Sequence, residues 1–557
     1  MPQVITREID ETTAVADAYS NFSVVIPGLV ANEKAESWAK VADSEGIYEC
    51  SSLSDFKTYI GKVADVEGSS ANPCALVQTI SNDSEAYADG ISQIEYEQAI
   101  EGFQSRPSNY CYCTGKESAG NTPAGEFCDG TYKYTGAIDT TDAFKELFKI
   151  TSEEGAKETT YKIKSTVYLI DKGRNAIASR PGNRLAYMLV ELGYTILFKA
   201  INEPTKGSAE YPSASEITAK LSNSDFWNCL KDRATYDFRY VVSGGYYDED
   251  VYAAMMELAA RVNEKNYPSD SHDWYEEGRG DVTALCDVDE AALSDISSQS
   301  KTIKSIQDWV GDLKCFTIKS CDAGRYGALF APRVKVQVAA DKGAYGTDTG
   351  YLIPASIYYL ACAAKASENY AEWYAVAGYN RGVSGYTVLG TTLTLGDQAV
   401  QRLEPRYTWA NDGKPARSVN VITKIRTLGT GGYFLWGSRT AHCLSADGLV
   451  ASHFLNIRQL CTTLKKDIYV SCKQLTFSPN DTLLWIDFLA KIRPTLDKMK
   501  SDRGIKDYEI KQVVAKKKAL MKAKIKLVPI EPVEDFDISV YLEDSIDGST
   551  EATAEED

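Results

Sequence analysis

Histidine is almost absent from this sequence, which has three in 557 residues: His272, His442 and His453. Histidine is the commonest general base and a frequent metal ligand, so its scarcity argues against most hydrolases and metalloenzymes. His442 and Cys443 are neighbours, and neighbouring positions on a strand point apart, so they cannot form a nucleophile–base pair. We therefore interpret the histidines as structural.

Familiar nucleotide and metal motifs are also missing or incomplete, and the adhesion tripeptide RGD that is present has a simpler structural interpretation. GTGGYFLWG, Gly429 to Gly437, has neither GxGxxG spacing nor the Lys-Ser/Thr of a phosphate loop, and we interpret it as tight turns before a strand. Cys111, Cys113 and Cys128 lack paired CxxC spacing and a nearby histidine, which favours inert thiols over zinc. GRGD, Gly278 to Asp281, directly precedes an apolar segment, so a charged loop at a strand start is the simpler interpretation.

Positive charge is in deficit, with a formal net charge of −18, which argues against nucleic-acid binding. Long apolar runs are missing too: the longest, about Leu352 to Ala364, contains Pro354 and is too short to span a bilayer. The first residues, MPQVITREID, include charges and no apolar segment, so we expect no signal peptide. With 13 cysteines scattered from Cys50 to Cys472, we expect a reduced, cytosolic protein with buried thiols and no membrane insertion.

The chain is long enough for about three or four domains. Short apolar strands alternate with helices after residue 183, which predicts a central, mainly parallel α/β domain covered on both faces. The predicted class is thus a multidomain α/β and α+β protein. Its predicted parts are an amino-terminal arm (1–22), a first part of the core (23–66), a β-rich inserted outer domain (67–182), the α/β domain (183–402), an α+β carboxy-terminal domain (403–528), and a carboxy-terminal arm with an acidic tail (529–557).

The carboxy-terminal domain should contain two helices. The pattern predicts one across Phe454 to Lys465, then a strand pair, and a second helix that starts after Pro479-Asn480-Asp481 and is interrupted at Pro494. A strand from Lys524 to Val528 follows. Six lysines lie between Lys516 and Lys526, either as a solvated charge run or as a contact for an acidic protein partner.

The pattern at both ends of the chain predicts a β-strand that has no neighbouring strand in the sequence to pair with. The carboxy-terminal segment alternates without a slip, with Phe536, Ile538, Val540 and Leu542 on one face, and Asp537, Ser539, Tyr541 and Glu543 on the other. Pro529 and Pro532 separate it from the preceding domain, and eleven carboxylates with no lysine or arginine lie between Glu531 and Asp557. The amino-terminal segment has a similar short piece: Val4, Ile5, Thr6 and Ile9. Such strands are expected to complete a sheet elsewhere, for example in another subunit.

Several stretches, taken in order, resemble the tail sheath proteins of contractile-tailed bacteriophages. VVIPGLV resembles the amino-terminal strand, and YDFRYVVSGGY with RGDVTALCDV resembles the core strands. Further similar segments are GALFAP, the helix and loop from Ile353 to Gly382, FLWGSRT, LNIRQL and TFSPND. Arg333 follows GALFAP where the family usually has an aromatic residue, and residues 67–182 match no part of the pattern.

The resemblance implies a structural subunit that is not an enzyme and needs no cofactor or metal. Sheath subunits form stacked rings around a tail tube and exchange terminal strands with neighbouring copies. Contraction drives the tube through the host envelope for genome delivery. The implied partners are copies of itself, the tail tube protein, and baseplate and tail terminator proteins. The expected location is the virion tail, assembled in the bacterial host cytoplasm.

Residue roles follow as hypotheses. The donated strands would be Val4, Ile5, Thr6 and Ile9, and Phe536, Ile538, Val540 and Leu542. The tube-facing candidates are Lys498, Lys500, Arg503, Lys516, Lys517 and Lys518. Two alternatives stay open: the sheath of a phage-derived bacteriocin or injection system, and an enzyme with an α/β core.

Overall fold

A computed structural model describes residues 23–63, 65–67, 76–80, 110–112, 150–152, 161–163, 167–171, 178–261, 278–296, 298–337, 351–404, 415–427, 430–444, 448–513 and 521–532. The strands in these ranges are β1 Ser23–Gly28, β2 Ile47–Cys50, β3 Val66–Glu67, β4 Leu76–Ile80, β5 Tyr110–Tyr112, β6 Ile150–Ser152, β7 Tyr161–Ile163, β8 Val167–Asp171, β9 Ala178–Arg180, β10 Thr195–Ala200, β11 Tyr240–Val242, β12 Thr283–Asp287, β13 Thr317–Ile318, β14 Cys321–Asp322, β15 Gly327–Ala331, β16 Val334–Gln337, β17 Tyr351–Ile353, β18 Thr387–Thr391, β19 Val419–Thr427, β20 Thr430–Trp436, β21 Ile505–Val513 and β22 Lys522–Pro529. The α-helices there are α1 Ala35–Trp38, α2 Leu53–Asp55, α3 Arg184–Glu191, α4 Ala214–Leu221, α5 Ser224–Asn228, α6 Glu249–Ala259, α7 Gln299–Asp312, α8 Ala355–Ser367, α9 Gly378–Arg381, α10 Asp397–Leu403, α11 Leu455–Leu475 and α12 Thr482–Ser501.

An eight-stranded sheet forms the centre of the molecule, in the order β2-β10-β1-β11-β12-β15-β19-β20. The five inner pairings are parallel, and only the outer pairs β2–β10 and β19–β20 are antiparallel. Buried apolar residues in nearly unbroken runs, such as TALCD in β12, are typical of parallel strands covered on both faces. The predicted mainly parallel α/β architecture is confirmed.

Alternate residues of each strand enter two separate cores. Val25 and Val241 pack on one face with helices α4 to α7, whereas Val24 and Val242 pack on the other face with α3 and α8. Each strand position therefore has an apolar partner on whichever side it points to, which is why polar residues are rare in these strands.

Strands from the last quarter of the chain join this central sheet. β19 and β20, which fall in the predicted carboxy-terminal domain, continue the sheet beyond β15. Within 67–182 the described segments are strands, which pair in small sheets (β3 with β9, β4-β8-β5, and β6 with β7). The division into domains stays a prediction.

Two local predictions are wrong. The expected strand pair after Lys465 does not form, because α11 continues to Leu475. Helix α12 also runs through Pro494 to Ser501. Pro494 removes one backbone donor, but the buried stripe on α12 holds the helix together across it. No helix among the described residues is both long and apolar enough to cross a membrane.

Candidate assembly surface on the carboxy-terminal unit

Helix α11 is bound to the amino-terminal ends of the central strands. Arg239, just before β11, is 2% exposed and donates to Gln459 Oε1 at 2.8 Å, to the Gln459 carbonyl at 2.9 Å and to Thr463 Oγ1 at 2.9 Å. Arg458 Nη2 donates to the carbonyls of Gly280 and Val282, just before β12, at 2.8 and 3.0 Å. These buried hydrogen bonds hold α11, and the elements that pack on it, in a fixed position relative to the central sheet.

A buried group of charges strengthens the same junction. Asp281 accepts from Arg279 Nε at 3.1 Å, and Lys466 Nζ of α11 lies 4.0 Å from the Asp281 carboxylate. Burial alone raises the pKa of Asp281, but Arg279 and then Lys466 outweigh burial and lower that pKa to about 2. The GRGD segment is therefore a buried structural element and not an exposed loop.

Helices α11 and α12 form an antiparallel pair with its own core. Leu484, Phe488, Ile492, Leu496 and Met499 recur at three- to four-residue spacing on α12 and are all buried. The last four of these residues pack with Leu460 and Leu464 of α11 and with Trp373. The predicted start of α12 is confirmed, since the Asp481 side chain accepts from Leu484 N at 3.0 Å.

Strands β21 and β22 form an antiparallel hairpin that packs against α12. Tyr508, Ile510, Ile525 and Leu527 alternate along the hairpin and face the helical core. Tyr508 Oη donates to Asp497 Oδ1 of α12 at 2.6 Å. The hairpin thus has one apolar face that is held by the helix and one face that is turned to solvent.

Among the described residues, the hairpin is a sheet of two strands, so each strand has one edge without a strand partner there. Among the residues that the structure describes, no further strand pairs with β21 or with β22. β21 and β22 are nine and eight residues long. Open edges of this length are usually covered or blocked, because they can pair with another chain. The arrangement can accept an extended strand on either side.

Lysine dominates the solvent face of the hairpin. Lys522, Lys524 and Lys526 occupy alternate exposed positions of β22, and Lys511 of β21 lies directly across from Lys524. Glu509 is the neighbouring acidic residue, 2.5 Å from Lys511 Nζ and 3.3 Å from Lys526 Nζ. Lys522 and Lys524 form no ion pair with any described residue.

Three predicted tube-facing residues lie together where α12 meets the hairpin. Lys498, Lys500 and Arg503 are exposed, and Lys500 Nζ is 2.9 Å from Asp507 Oδ1 at the start of β21. Arg503 adopts a left-handed backbone with φ of 61° and links helix to strand. Lys516, Lys517 and Lys518 lie outside the described residues, as do both predicted arms: Val4, Ile5, Thr6, Ile9, Phe536, Ile538, Val540 and Leu542. Their roles stay predictions.

The far end of α12 exposes an apolar group that the sequence analysis did not single out. Phe477 is 99% exposed, Leu483 66% and Ile486 53%. Leu483 and Ile486 lie outside the buried stripe of α12. Their positions do not fit the three- to four-residue spacing of that stripe, and this mismatch is the sequence signal that could have revealed them.

The carboxyl ends of the parallel strands, where α/β enzymes place their sites, are packed with internal bonds. Asp287, at the end of β12, accepts from Ser356 N at 2.7 Å and from Ser356 Oγ at 2.6 Å. Burial raises the pKa of Asp287 to about 7. The described histidines also make structural contacts: His442 with Asp322, and His453 with Val450 N at 2.9 Å. Within the described ranges no group of three or more His, Cys, Asp or Glu could hold a metal ion.

Strand β21 is the element of this surface that the sequence analysis missed. Its residues Tyr508 and Ile510 do alternate with Asp507, Glu509 and Lys511, but the signal is short and strongly charged. The pairing with β22 supplies the context that makes the strand recognisable.

No protein-family model and no curated protein matches the sequence. Solved structures are similar to it. A chain of "Cryo-EM structure of the anti-feeding prophage (AFP) baseplate, 6-fold symmetrised" is 15% identical, with 65% of this chain and 79% of that chain covered and a TM-score of 0.39. A chain of "Cryo-EM Structure of an Extracellular Contractile Injection System, PVC sheath complex in contracted state" is 15% identical, with 63% and 77% covered and a TM-score of 0.40.

A third chain comes from "Cryo-EM structure of the anti-feeding prophage (AFP) helical sheath in contracted state". It is 14% identical, with 63% of this chain and 79% of that chain covered and a TM-score of 0.38. The chain is thus similar to one chain of a baseplate structure and to chains of two contracted sheath structures.

Proposed function

We propose that this chain is a structural subunit of a contractile sheath, which polymerises by adding its terminal strands to the β21–β22 hairpins of neighbouring copies. The observation that carries the proposal is the two-stranded hairpin with unpaired edges among the described residues. It is supported by the sequence, which has one strand-like segment before the body and one after it. Two edges and two arms match in number.

Main-chain hydrogen bonds would then hold adjacent subunits together. Such strand addition gives affinity through the ladder and specificity through the alternate side chains. An arm donated to the next copy makes a head-to-tail contact, and repeated contacts of this kind produce rings or open helices. The subunit would stay connected to its neighbours while the bodies rotate during contraction.

The remaining partners follow from this role. The tube would lie against the positively charged end of α12, at Lys498, Lys500 and Arg503, with Lys516, Lys517 and Lys518 nearby in sequence. The baseplate and terminator would contact the first and last rings. The energy for contraction would come from a metastable extended lattice and not from nucleotide hydrolysis. We therefore propose that the chain has a structural role and no enzymatic activity.

Removal of the arms tests the proposal. We expect chains that lack residues 1–22, or that end after Pro532, to stay folded monomers that form no tubes in negative-stain electron microscopy. A matched control that ends after Glu543 keeps the strand-like segment and loses only the rest of the acidic tail. It should still form tubes. Normal tubes both from the chain that lacks residues 1–22 and from the chain that ends after Pro532 would contradict the proposal.

Bacteriophage tails and free injection systems would use the same subunit contacts. The geometry of the hairpin fits both equally, and the tail location with genome delivery is the more specific proposal. Purification of the native assembly separates them: a sheath attached to a DNA-filled capsid supports the phage tail, and a capsid-free particle supports the injection system.

A further inference from the structure

Lys199 of β10 is a buried cation in the central sheet. Its side chain belongs to a residue that is 4% exposed, and Nζ donates to the Glu45 carbonyl at 3.0 Å and lies 4.8 Å from the centre of the Phe226 ring. Among the described residues, no carboxylate lies within salt-bridge distance of this ammonium group. A buried charge without a carboxylate partner is costly, so the surroundings of Lys199 favour a reaction that removes its charge.

The thiol of Cys229 touches the same ammonium group. Lys199 Nζ donates to Cys229 Sγ at 3.2 Å, and the thiol itself has only a long contact of 3.9 Å with the Phe226 carbonyl. Cys229 begins the short 3-10 turn that follows α5, and it is partly exposed. A small oxidant can therefore reach the sulfur from solvent, whereas the amine that touches the sulfur is almost completely buried.

A second lysine lies near this pair and adds repulsion. Lys220 Nζ is 5.8 Å from the centre of the Phe226 ring and donates to the Ile201 carbonyl at 2.6 Å. Burial lowers the pKa of Lys220; Glu203 opposes this change, and the positive charge of Lys199 adds to it. Loss of the charge on Lys199 would remove this repulsion between the two lysines.

We propose that Cys229 and Lys199 form a reversible covalent cross-link when the protein meets a peroxide, through a sulfenamide bond between sulfur and nitrogen. The peroxide oxidises the thiol to a sulfenic acid and is itself reduced to water. The ammonium group gives one proton to solvent, and the nitrogen lone pair then attacks the sulfur. The S–N bond forms as the S–O bond breaks, and the hydroxide leaves as water with a second proton from the nitrogen.

A thiol reductant reverses the reaction. Its thiolate attacks the sulfur of Cys229, the S–N bond breaks, and the nitrogen of Lys199 takes up a proton. A second reductant thiol then releases the Cys229 thiol from the mixed disulfide and is oxidised with the first. The reaction needs one chain and no assembly, so it is independent of the proposed function.

The cross-link would join elements at the β2 side of the central sheet. Strand β10 pairs with β2, and Lys199 already holds the turn before β2 through the Glu45 carbonyl. The new bond would connect these elements to the turn after α5, and it would close a loop between residues that are 30 positions apart. Closing a loop lowers the entropy of the unfolded chain, so the oxidised protein should melt at a higher temperature than the reduced one.

Peptide mass mapping tests the bond directly. The folded protein is treated with hydrogen peroxide, remaining thiols are blocked with iodoacetamide, and the chain is digested with and without dithiothreitol. We expect a linked pair of peptides that contain Lys199 and Cys229, lighter by two hydrogens than their sum, which dithiothreitol separates. C229S and K199R should give no linked pair, although K199R keeps the buried charge. C472S, which removes another partly exposed cysteine, is the matched control and should give the same pair as the wild type.

The other results of this mapping would overturn the proposal. They are a Cys229 that stays unmodified, a Cys229 that is oxidised to sulfinic acid without a link, and a link from Cys229 to another residue. A linked pair that is heavier by one oxygen would indicate a bridge through oxygen and would overturn the S–N bond.

Thermal unfolding provides a second measurement. Peroxide should raise the melting temperature of the wild type and of C472S, and dithiothreitol should return it to the starting value. C229S changes one atom of a partly exposed side chain, so it should fold, and peroxide should not raise its melting temperature. An equal rise in C229S and in the wild type would overturn the proposal, because the stabilisation would then come from another oxidised group.

Discussion

Single buried carboxylates in this molecule respond to pH in opposite directions. Asp281 is surrounded by cations, so its charged form is favoured, and its pKa falls to about 2. Asp287 is buried without enough compensation, and its pKa rises to about 7. The difference arises from neighbours and not from residue type, which is why the sequence alone does not distinguish the two.

Asp287 should make the protein less stable as pH rises. Its pKa is higher in the folded than in the unfolded chain, so the folded state holds more protons between about pH 4 and 7 and loses stability as pH rises through that window. D287N should flatten this part of a plot of melting temperature against pH. The exposed Asp487 provides the control, and a D487N profile that flattens equally would contradict the assignment.

Asp281 should be costly to neutralise. D281N would leave Arg279 and Lys466 buried without their shared carboxylate, for which we expect a loss of about 3–5 kcal/mol in unfolding free energy. Asp237 is the other carboxylate beside Lys466, and its side chain is 53% exposed. D237N should therefore lower the unfolding free energy by less than about 1 kcal/mol. If chemical denaturation gives the same loss of unfolding free energy for D281N and D237N, the buried Asp281 cluster does not stabilise the attachment of α11.

At the scale of elements, burial overrides local propensity in α11 and α12. The segment DIYVSC of α11 is rich in β-forming residues and lies where a strand pair was expected, but Ile468, Cys472 and Leu475 continue the apolar stripe that begins with Leu460 and Leu464. That stripe is visible only once the partner helix is known. The strands of the central sheet were predictable because their apolar runs are short and are bounded by turn residues.

The stripe on α12 should carry the stability of the carboxy-terminal unit. I492A removes a fully buried side chain and should cost about 2–5 kcal/mol. I486A, on the same helix with its side chain 53% exposed, is the matched control and should change stability by less than about 0.5 kcal/mol. Hydrogen exchange of residues 455–530 checks this: faster exchange in I492A alone is expected, and equal rates in the two variants would contradict it.

At the scale of the whole molecule, α11 and α12 connect the central sheet to the β21–β22 hairpin. Arg239 and Arg458 tie α11 to the central sheet, and α12 carries the hairpin on the other side of the same unit. A force applied to the hairpin would therefore reach the sheet through buried bonds. The alternation at both ends predicts two arms, whereas the signal for β21 is too short and too charged, so only β22 of the hairpin was predicted.

Loss of the Arg239 contacts should loosen the unit from the body. R239M keeps most of the side-chain volume but removes three hydrogen bonds to α11 and the ion pair with Glu372. We expect a lower melting temperature and faster hydrogen exchange in α11, with the central strands unaffected. Exchange that rises equally throughout the central sheet would indicate a general loss of folding instead.

The central claim is that each hairpin is completed by strands from other copies. A cryo-electron microscopy map of the polymer, at a resolution that separates strands, measures this directly. The account predicts a four-stranded sheet in which β21 and β22 are flanked by terminal strands from two neighbouring copies. A polymer in which the hairpin keeps two bare edges, or is flanked by its own termini, would contradict it.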